Sequence, residues 1–179
     1  MNKRLLIALI FTWVSIGLLG IDLGDKMPHF SLESGDCHEL SSSELLGKVI
    51  FIFYDNKNTF KRNSDFKHEL FQEYLALTEA ERASIEILQV IDCTEARLIS
   101  SFFWKKALVR NSRKYNLQLW GDWDGGLKRN YHFLDEESYM LIIDQMGKVI
   151  YYQDALFLPA RIQGITEIVK EILSSADMR

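Results

Sequence analysis

Lys48-Val-Ile-Phe-Ile-Phe-Tyr54, continuing into Asp55-Asn-Lys-Asn-Thr59-Phe-Lys-Arg62, is the stretch from which the rest of the chain can be read. Its first part is continuously apolar, β-branched and aromatic, as in a strand buried on both faces of a helix-covered sheet. Its second part is a polar turn. Beyond the turn, Phe66, Leu70, Phe71, Tyr74 and Leu75 recur at helical spacing. A second apolar run, Ile85 to Ile91, supplies another buried strand. Strand, helix and strand in that order predict an α/β unit.

Upstream, Met27 to Leu32 alternates like a short strand, Gly35-Asp36 turns it, and Cys37 to Leu40 returns as a hairpin partner. Ser41 with Glu44, and Thr78 with Glu81, have the spacing of capping boxes. Downstream, Thr94 is placed to cap a helix running to about Ser112, with an apolar stripe of Leu98, Ile99, Phe102, Phe103 and Ala107. Lys105, Lys106, Arg110, Arg113 and Lys114 gather toward its C-terminal end, where positive charge favours the helix dipole. Gln118 to Trp123 reads as a short strand, and Asp124-Gly125-Gly126 turns into a helical stretch ending near Phe133. Tyr139 to Asp144 and Lys148 to Tyr152 form a second hairpin. Pro159 opens a last helix whose buried stripe is Ile162, Ile165, Val169 and Ile172. The sheet is expected to be mixed, with helices on both faces.

The 179 residues carry net charge -4 and are 47% hydrophobic, enough for one domain with a real core. Mild acidity argues against nucleic acid as a partner, since phosphate binding needs a basic field. Lys3 and Arg4 precede an apolar run from Leu5 to Leu19, closed by Asp22, Asp25 and Lys26. Residues 1–20 therefore read as a secretory signal, or as an uncleaved anchor that would be the chain's one membrane contact, with a single domain over residues 21–179. Export would place Cys37 and Cys93 in an oxidising compartment. They either bridge, stay free, or include one reactive thiol; bridging needs Cα atoms within about 7 Å.

Three groups of residues then resemble a known fold family: Gly24-Asp-Lys-Met-Pro28-x-Phe30-x-Leu32, Gly47-Lys48-Val49 before the core strand, and Leu141-Ile-Ile-Asp144-x-x-Gly147 in the last hairpin. Together with the element order they resemble the exported thioredoxin-like proteins, the TlpA and ResA-type reductases and the peroxiredoxins, over residues 24 to 174. Leu134-Asp-Glu-Glu-Ser138, Thr59 in its turn, and Asp122-Trp-Asp-Gly125 are similar to the YtfJ-type periplasmic branch, whose biochemical role is poorly defined. The resemblance implies a thioredoxin-like α/β fold with an N-terminal β-hairpin and an exported location.

The same resemblance exposes two departures. The paired cysteines of the reductases would fall at Thr59 and Arg62, and a peroxidatic cysteine would fall at Arg62. A hydroxyl cannot exchange disulfides as a thiolate does. The cis-proline that faces the reactive turn would align with Ser138, and a cis bond before a non-proline residue costs about 2.5–4 kcal/mol.

Thr59, Arg62, Asn58, Cys93 and Ser138 are accordingly expected at one end of the sheet, where α/β proteins place ligand sites. Arg62 near a helix start suits a small anion; the simpler reading is that Thr59 or Asn58 caps the helix and Arg62 is solvated. Cys93 is flanked by Asp92 and Glu95, whose charge disfavours a thiolate. Asp122, Asp124, Asp135, Glu136 and Glu137 lack calcium-loop spacing, and His29, His38, His68 and His132 lack zinc spacing, so neither metal nor cofactor is expected. Trp104, Tyr115, Trp120 and Trp123 concentrate in one stretch and suit either the core or a partner surface. The leading expectation is a non-catalytic exported module binding a protein or a small anionic ligand. The alternative is a divergent thiol redox protein using Cys93, Cys37 or both. No Ser-His-Asp or paired-carboxylate spacing supports a hydrolase.

Overall fold

A computed structural model describes residues 21–97 and 101–176. The apolar segment 1–20 and the stripe residues Leu98 and Ile99 lie outside the described residues. The chain runs β1 (Ser31–Ser34), β2 (Glu39–Ser41), β3 (Val49–Asp55), α1 (Ser64–Ala76), α2 (Glu79–Ala83), β4 (Ile85–Asp92), α3 (Ser101–Tyr115), β5 (Leu119–Asp122), α4 (Gly126–Tyr131), β6 (Tyr139–Ile143), β7 (Val149–Asp154) and α5 (Ile162–Ala176). The strands form one seven-stranded mixed sheet in the order β2-β1-β5-β4-β3-β6-β7.

β3 lies inside this sheet, next to its middle strand β4, and every one of its residues is buried. It pairs parallel with β4, Asp55 opposite Ile91, and antiparallel with β6, Tyr54 opposite Tyr139. Alternation divides its side chains between two cores. Val49, Phe51 and Phe53 pack with α1 and α5; Ile50, Ile52 and Tyr54 pack with Leu127, Tyr131 and Phe133 on and after α4. Both expected capping boxes form, at Ser41 ahead of a 3-10 turn and at Thr78 ahead of α2.

Three expectations need correction. β1 starts at Ser31 rather than Met27, because Pro28 has no N–H for a ladder and the preceding backbone bonds elsewhere: Met27 N–H to Gly147 O at 2.7 Å, and Phe30 N–H to Ser42 Oγ at 3.2 Å. Thr94 does not cap the long helix. It opens a separate 3-10 turn, Thr94–Arg97, with its N–H and hydroxyl both donated to Asp92 Oδ1. The side of α3 that meets the sheet carries Leu108, packed with Cys93, Leu119 and Trp104. Phe102 and Phe103 therefore stand 56% and 67% exposed, edge to face, with Lys106 Nζ 4.2 Å above the Phe102 ring. Phe71 and Leu75, read at the same helical spacing as the buried Phe66 and Leu70, are about half exposed, at 46% and 48%.

The first hairpin is pressed against α3: a Cβ on Gly35 would stand 2.5 Å from the Lys105 carbonyl oxygen. The position therefore takes no side chain. Pro159 opens a 3-10 turn that runs into α5, whose Ile162, Ile165, Val169 and Leu173 are buried.

The corrected facing of α3 has a measurable consequence. Leu108→Ala should cost about 2–4 kcal/mol of unfolding free energy in urea titrations. Phe103→Ala should change it by no more than about 0.5 kcal/mol. The reverse order would restore the stripe read from the sequence.

Candidate functional site

The C-terminal ends of β3, β4 and β5 meet the loop that enters β6, and each face of this sheet end carries a buried polar cluster. On the α1 face the centre is Asp55, 1% exposed. Its Oδ1 accepts from Ser138 Oγ at 2.7 Å and from Thr59 Oγ1 at 3.4 Å. Its Oδ2 accepts from Lys67 Nζ at 2.6 Å and Gln89 Nε2 at 2.8 Å. A carboxylate offers roughly four lone-pair sites, and here each finds a donor. Lys67 Nζ also donates to Gln89 Oε1 at 3.0 Å. Burial pushes the Lys67 ammonium below its ordinary value, and the Asp55 carboxylate opposes that shift.

Of the residues expected at this end, two meet on that carboxylate. Thr59 and Ser138 are fully buried and both bind Asp55. Arg62 Nη1 donates to Glu136 O at 2.9 Å and contacts Glu137 Oε2 at 3.3 Å, so it clasps the β6 entry loop instead of standing free in solvent. All described peptide bonds, including the one before Ser138, are trans. Asn58 is exposed and its N–H donates to Asn56 Oδ1 at 2.7 Å. Neither Asn58 nor Thr59 caps α1. The turn is shaped by Asn56, whose Oδ1 also accepts the Thr59 N–H, while Thr59 Oγ1 accepts the Asn56 N–H at 2.9 Å. The residue preceding α1 is Asn63, which ties the helix start to the loop after β7: its Nδ2 donates to Ala155 O at 3.0 Å and its Oδ1 accepts the Phe157 N–H at 2.9 Å.

The opposite face carries Asp92, Asp122, Tyr54 and Lys128. Lys128 Nζ, from α4, bonds Asp92 Oδ2 at 2.8 Å and also reaches Asp135. Burial works to raise the Asp92 carboxyl, but the hydrogen bonds from Lys128 and Thr94 outweigh it and hold it below its usual value. Asp122 is held above its usual value by burial. Its Oδ2 accepts from Tyr54 OH and the Lys128 N–H, both at 3.1 Å, while Oδ1 has no hydrogen-bond partner among the described residues.

The two cysteines are unpaired and differently placed. Cys93 is fully buried beneath α3, and burial, with Asp92 and Asp122 nearby, pushes its thiol far above the ordinary range. Cys37 is exposed on the β1–β2 turn at φ 65, with Lys105 Nζ 3.4 Å from its Sγ. Among the described residues no group of three or more His, Cys, Asp or Glu side chains is placed to hold a metal ion. No helix among them is long and apolar enough to cross a membrane.

Solved structures with this architecture include a putative thiol:disulfide interchange protein of Chlorobium tepidum, matched at 17% identity over 86% of this chain and 99% of that one, with TM-score 0.57. A thiol peroxidase from Chromobacterium violaceum matches at 12% identity over 85% and 88% of the two chains, TM-score 0.60. The exposed lipoprotein thioredoxin of Streptococcus pneumoniae matches at 21% identity over 80% and 99%, TM-score 0.52. The fold is thioredoxin-like. Identities this low carry the fold alone. No family model and no curated protein matches the sequence.

Sequence reading missed Asp55, Lys67 and Gln89. A signal for Gln89 was present: it shares strand parity with the buried Ile85 and Ile91, so a polar side chain had to enter the core there. Asp55→Asn leaves the Lys67 ammonium buried without its anion and should destabilise by about 3–5 kcal/mol at pH 7. Because the folded Lys67 value is depressed, its charged form is the disfavoured one, and the neutral amine formed at high pH needs no anion. The Asp55→Asn penalty, followed by urea titration, should therefore shrink as pH rises toward the ordinary lysine value. A penalty independent of pH would remove the ion pair from the account.

Proposed function

We propose that this chain is an exported thioredoxin-like module that does not exchange disulfides and that binds a protein segment at the rim of the former thiol turn. The observation that carries this reading is the occupancy of that turn. Thr59 is buried against Asp55, and Arg62 is clasped to the carbonyl of Glu136 and the carboxylate of Glu137. Neither position holds a thiol, and Cys93, the one nearby sulfur, is a buried thiol whose ionisation its surroundings oppose.

Around the clasp, Leu134, Leu156 and Leu158 are exposed on loops bound to the start of α1. Exposed apolar side chains beside an Arg–Glu pair suit a protein partner, which needs an apolar centre and a polar rim. Leu134-Asp-Glu-Glu-Ser138 supports placing the chain near the YtfJ-type branch, and Lys3-Arg4 ahead of the Leu5 to Leu19 run supports export. A small anionic ligand would have to displace Glu137 from Arg62, so the protein partner is preferred.

The test is insulin reduction with dithiothreitol, together with thiol counting by a disulfide reagent. The expected outcome is no turnover above the reagent blank, with Cys37 reacting in the folded protein and Cys93 only after denaturation. Turnover comparable to an ordinary thioredoxin, lost on Cys93→Ser, would establish the redox alternative instead.

A further inference from the structure

A half-open groove of about 720 Å³ runs along the flank of α1. Its floor is β4, through Ile87 and Gln89; its sides are Phe60, Lys67 and Phe71 on one hand and Tyr115, at the end of α3, on the other. The Phe60 and Tyr115 rings stand 5.3 Å apart. The volume falls in the range of small-molecule sites, about 300–1,000 Å³, and the lining is mostly apolar and aromatic.

Lys61 and His68 also line the groove, but at its buried pole, formed by Lys67 and Gln89, what is offered is narrow. Lys67 Nζ has three N–H donors. Asp55 Oδ2 and Gln89 Oε1 accept two, and no other acceptor is found among the described residues. Nζ lies 5.4 Å from the centroids of both Phe53 and Phe60, so it faces the lining of the groove. Both N–H groups of Gln89 are taken, by Asp55 Oδ2 and Phe53 O. One donor therefore remains, on an ion pair whose charge is already balanced. A ligand carboxylate here would set a second anion beside the buried Asp55, with one ammonium to share. An uncharged carbonyl oxygen accepts the same hydrogen bond without that cost.

We infer that the groove is a binding site for an uncharged, largely apolar small molecule whose carbonyl oxygen accepts a hydrogen bond from Lys67. The site goes beyond the protein-binding rim and is independent of whether the chain exchanges disulfides.

Nile red, uncharged, aromatic and carbonyl-bearing, tests this by fluorescence titration of the full chain. Saturable, blue-shifted binding is expected. Phe71→Glu, which charges a half-exposed wall residue, should weaken it about tenfold or more, roughly 1.4 kcal/mol per decade, without moving the thermal transition. Methyl dodecanoate should displace the dye, whereas dodecanoate at the same concentration should not. Lys61 also lines the groove, and Lys61→Ala should leave the ester's affinity unchanged. The double variant Asp55→Leu/Lys67→Met removes the pair together and should lower the ester's affinity about tenfold, the worth of one hydrogen bond to a charged donor. Absence of saturable binding, full binding by Phe71→Glu, displacement by dodecanoate equal to that by its ester, dependence on Lys61, or an unchanged ester affinity in the double variant would each overturn the inference.

Discussion

A carboxylate at the end of the inner strand β3, shut away from water, constrains everything around it. Asp55 is 1% exposed, at the end of a strand whose residues are all buried. Such a group persists only if donors replace the water it has lost. The donors come from four places in the chain: Thr59 in the following turn, Lys67 on α1, Gln89 on β4 and Ser138 at the entry to β6. Their convergence fixes the rotation of α1, the depth of the turn and the approach of the β6 loop at once. The Arg62 clasp and the Asn63 bridge then tie the same helix start to the loops on either side.

The opposite face repeats the arrangement. Asp92 ends β4, and Lys128 from α4 meets it, as Lys67 from α1 meets Asp55. In both clusters a strand ends in a carboxylate and a helix covering that face supplies the lysine. The two halves differ in completeness. Asp55 has a donor at each lone-pair site, whereas Asp122, beside Asp92, has one oxygen without a hydrogen-bond partner among the described residues and a raised carboxyl value. The first cluster is the more rigid support, and the second is where the sheet end retains polar capacity.

Much of this was legible in the residues. Continuous apolar runs identified β3 and β4, capping boxes marked the two short helical turns, and the missing thiols at Thr59 and Arg62 were read directly. That Thr59 and Ser138 face each other across the turn, both on Asp55, is consistent with the fold that the motifs resembled. What was not legible depended on rotation and long-range pairing. The facing of α3 was not legible, because nothing in the apolar spacing separates a stripe of Phe102 and Phe103 from one of Trp104 and Leu108. The Asp55 network joins residues up to 83 positions apart, so no local pattern announces it. Lys67 in particular sits beside the buried Phe66 in sequence and reads as solvated until the sheet is in place.

The account centres on the state of Lys67, since an ammonium held by Asp55 and Gln89 is what closes this end of the sheet. The direct measurement is a 1H–15N NMR titration of the Lys67 side chain. The account predicts an ammonium resonance protected from solvent exchange and a titration below the ordinary lysine value. A Lys67 that exchanges freely and titrates like the exposed lysines would contradict it.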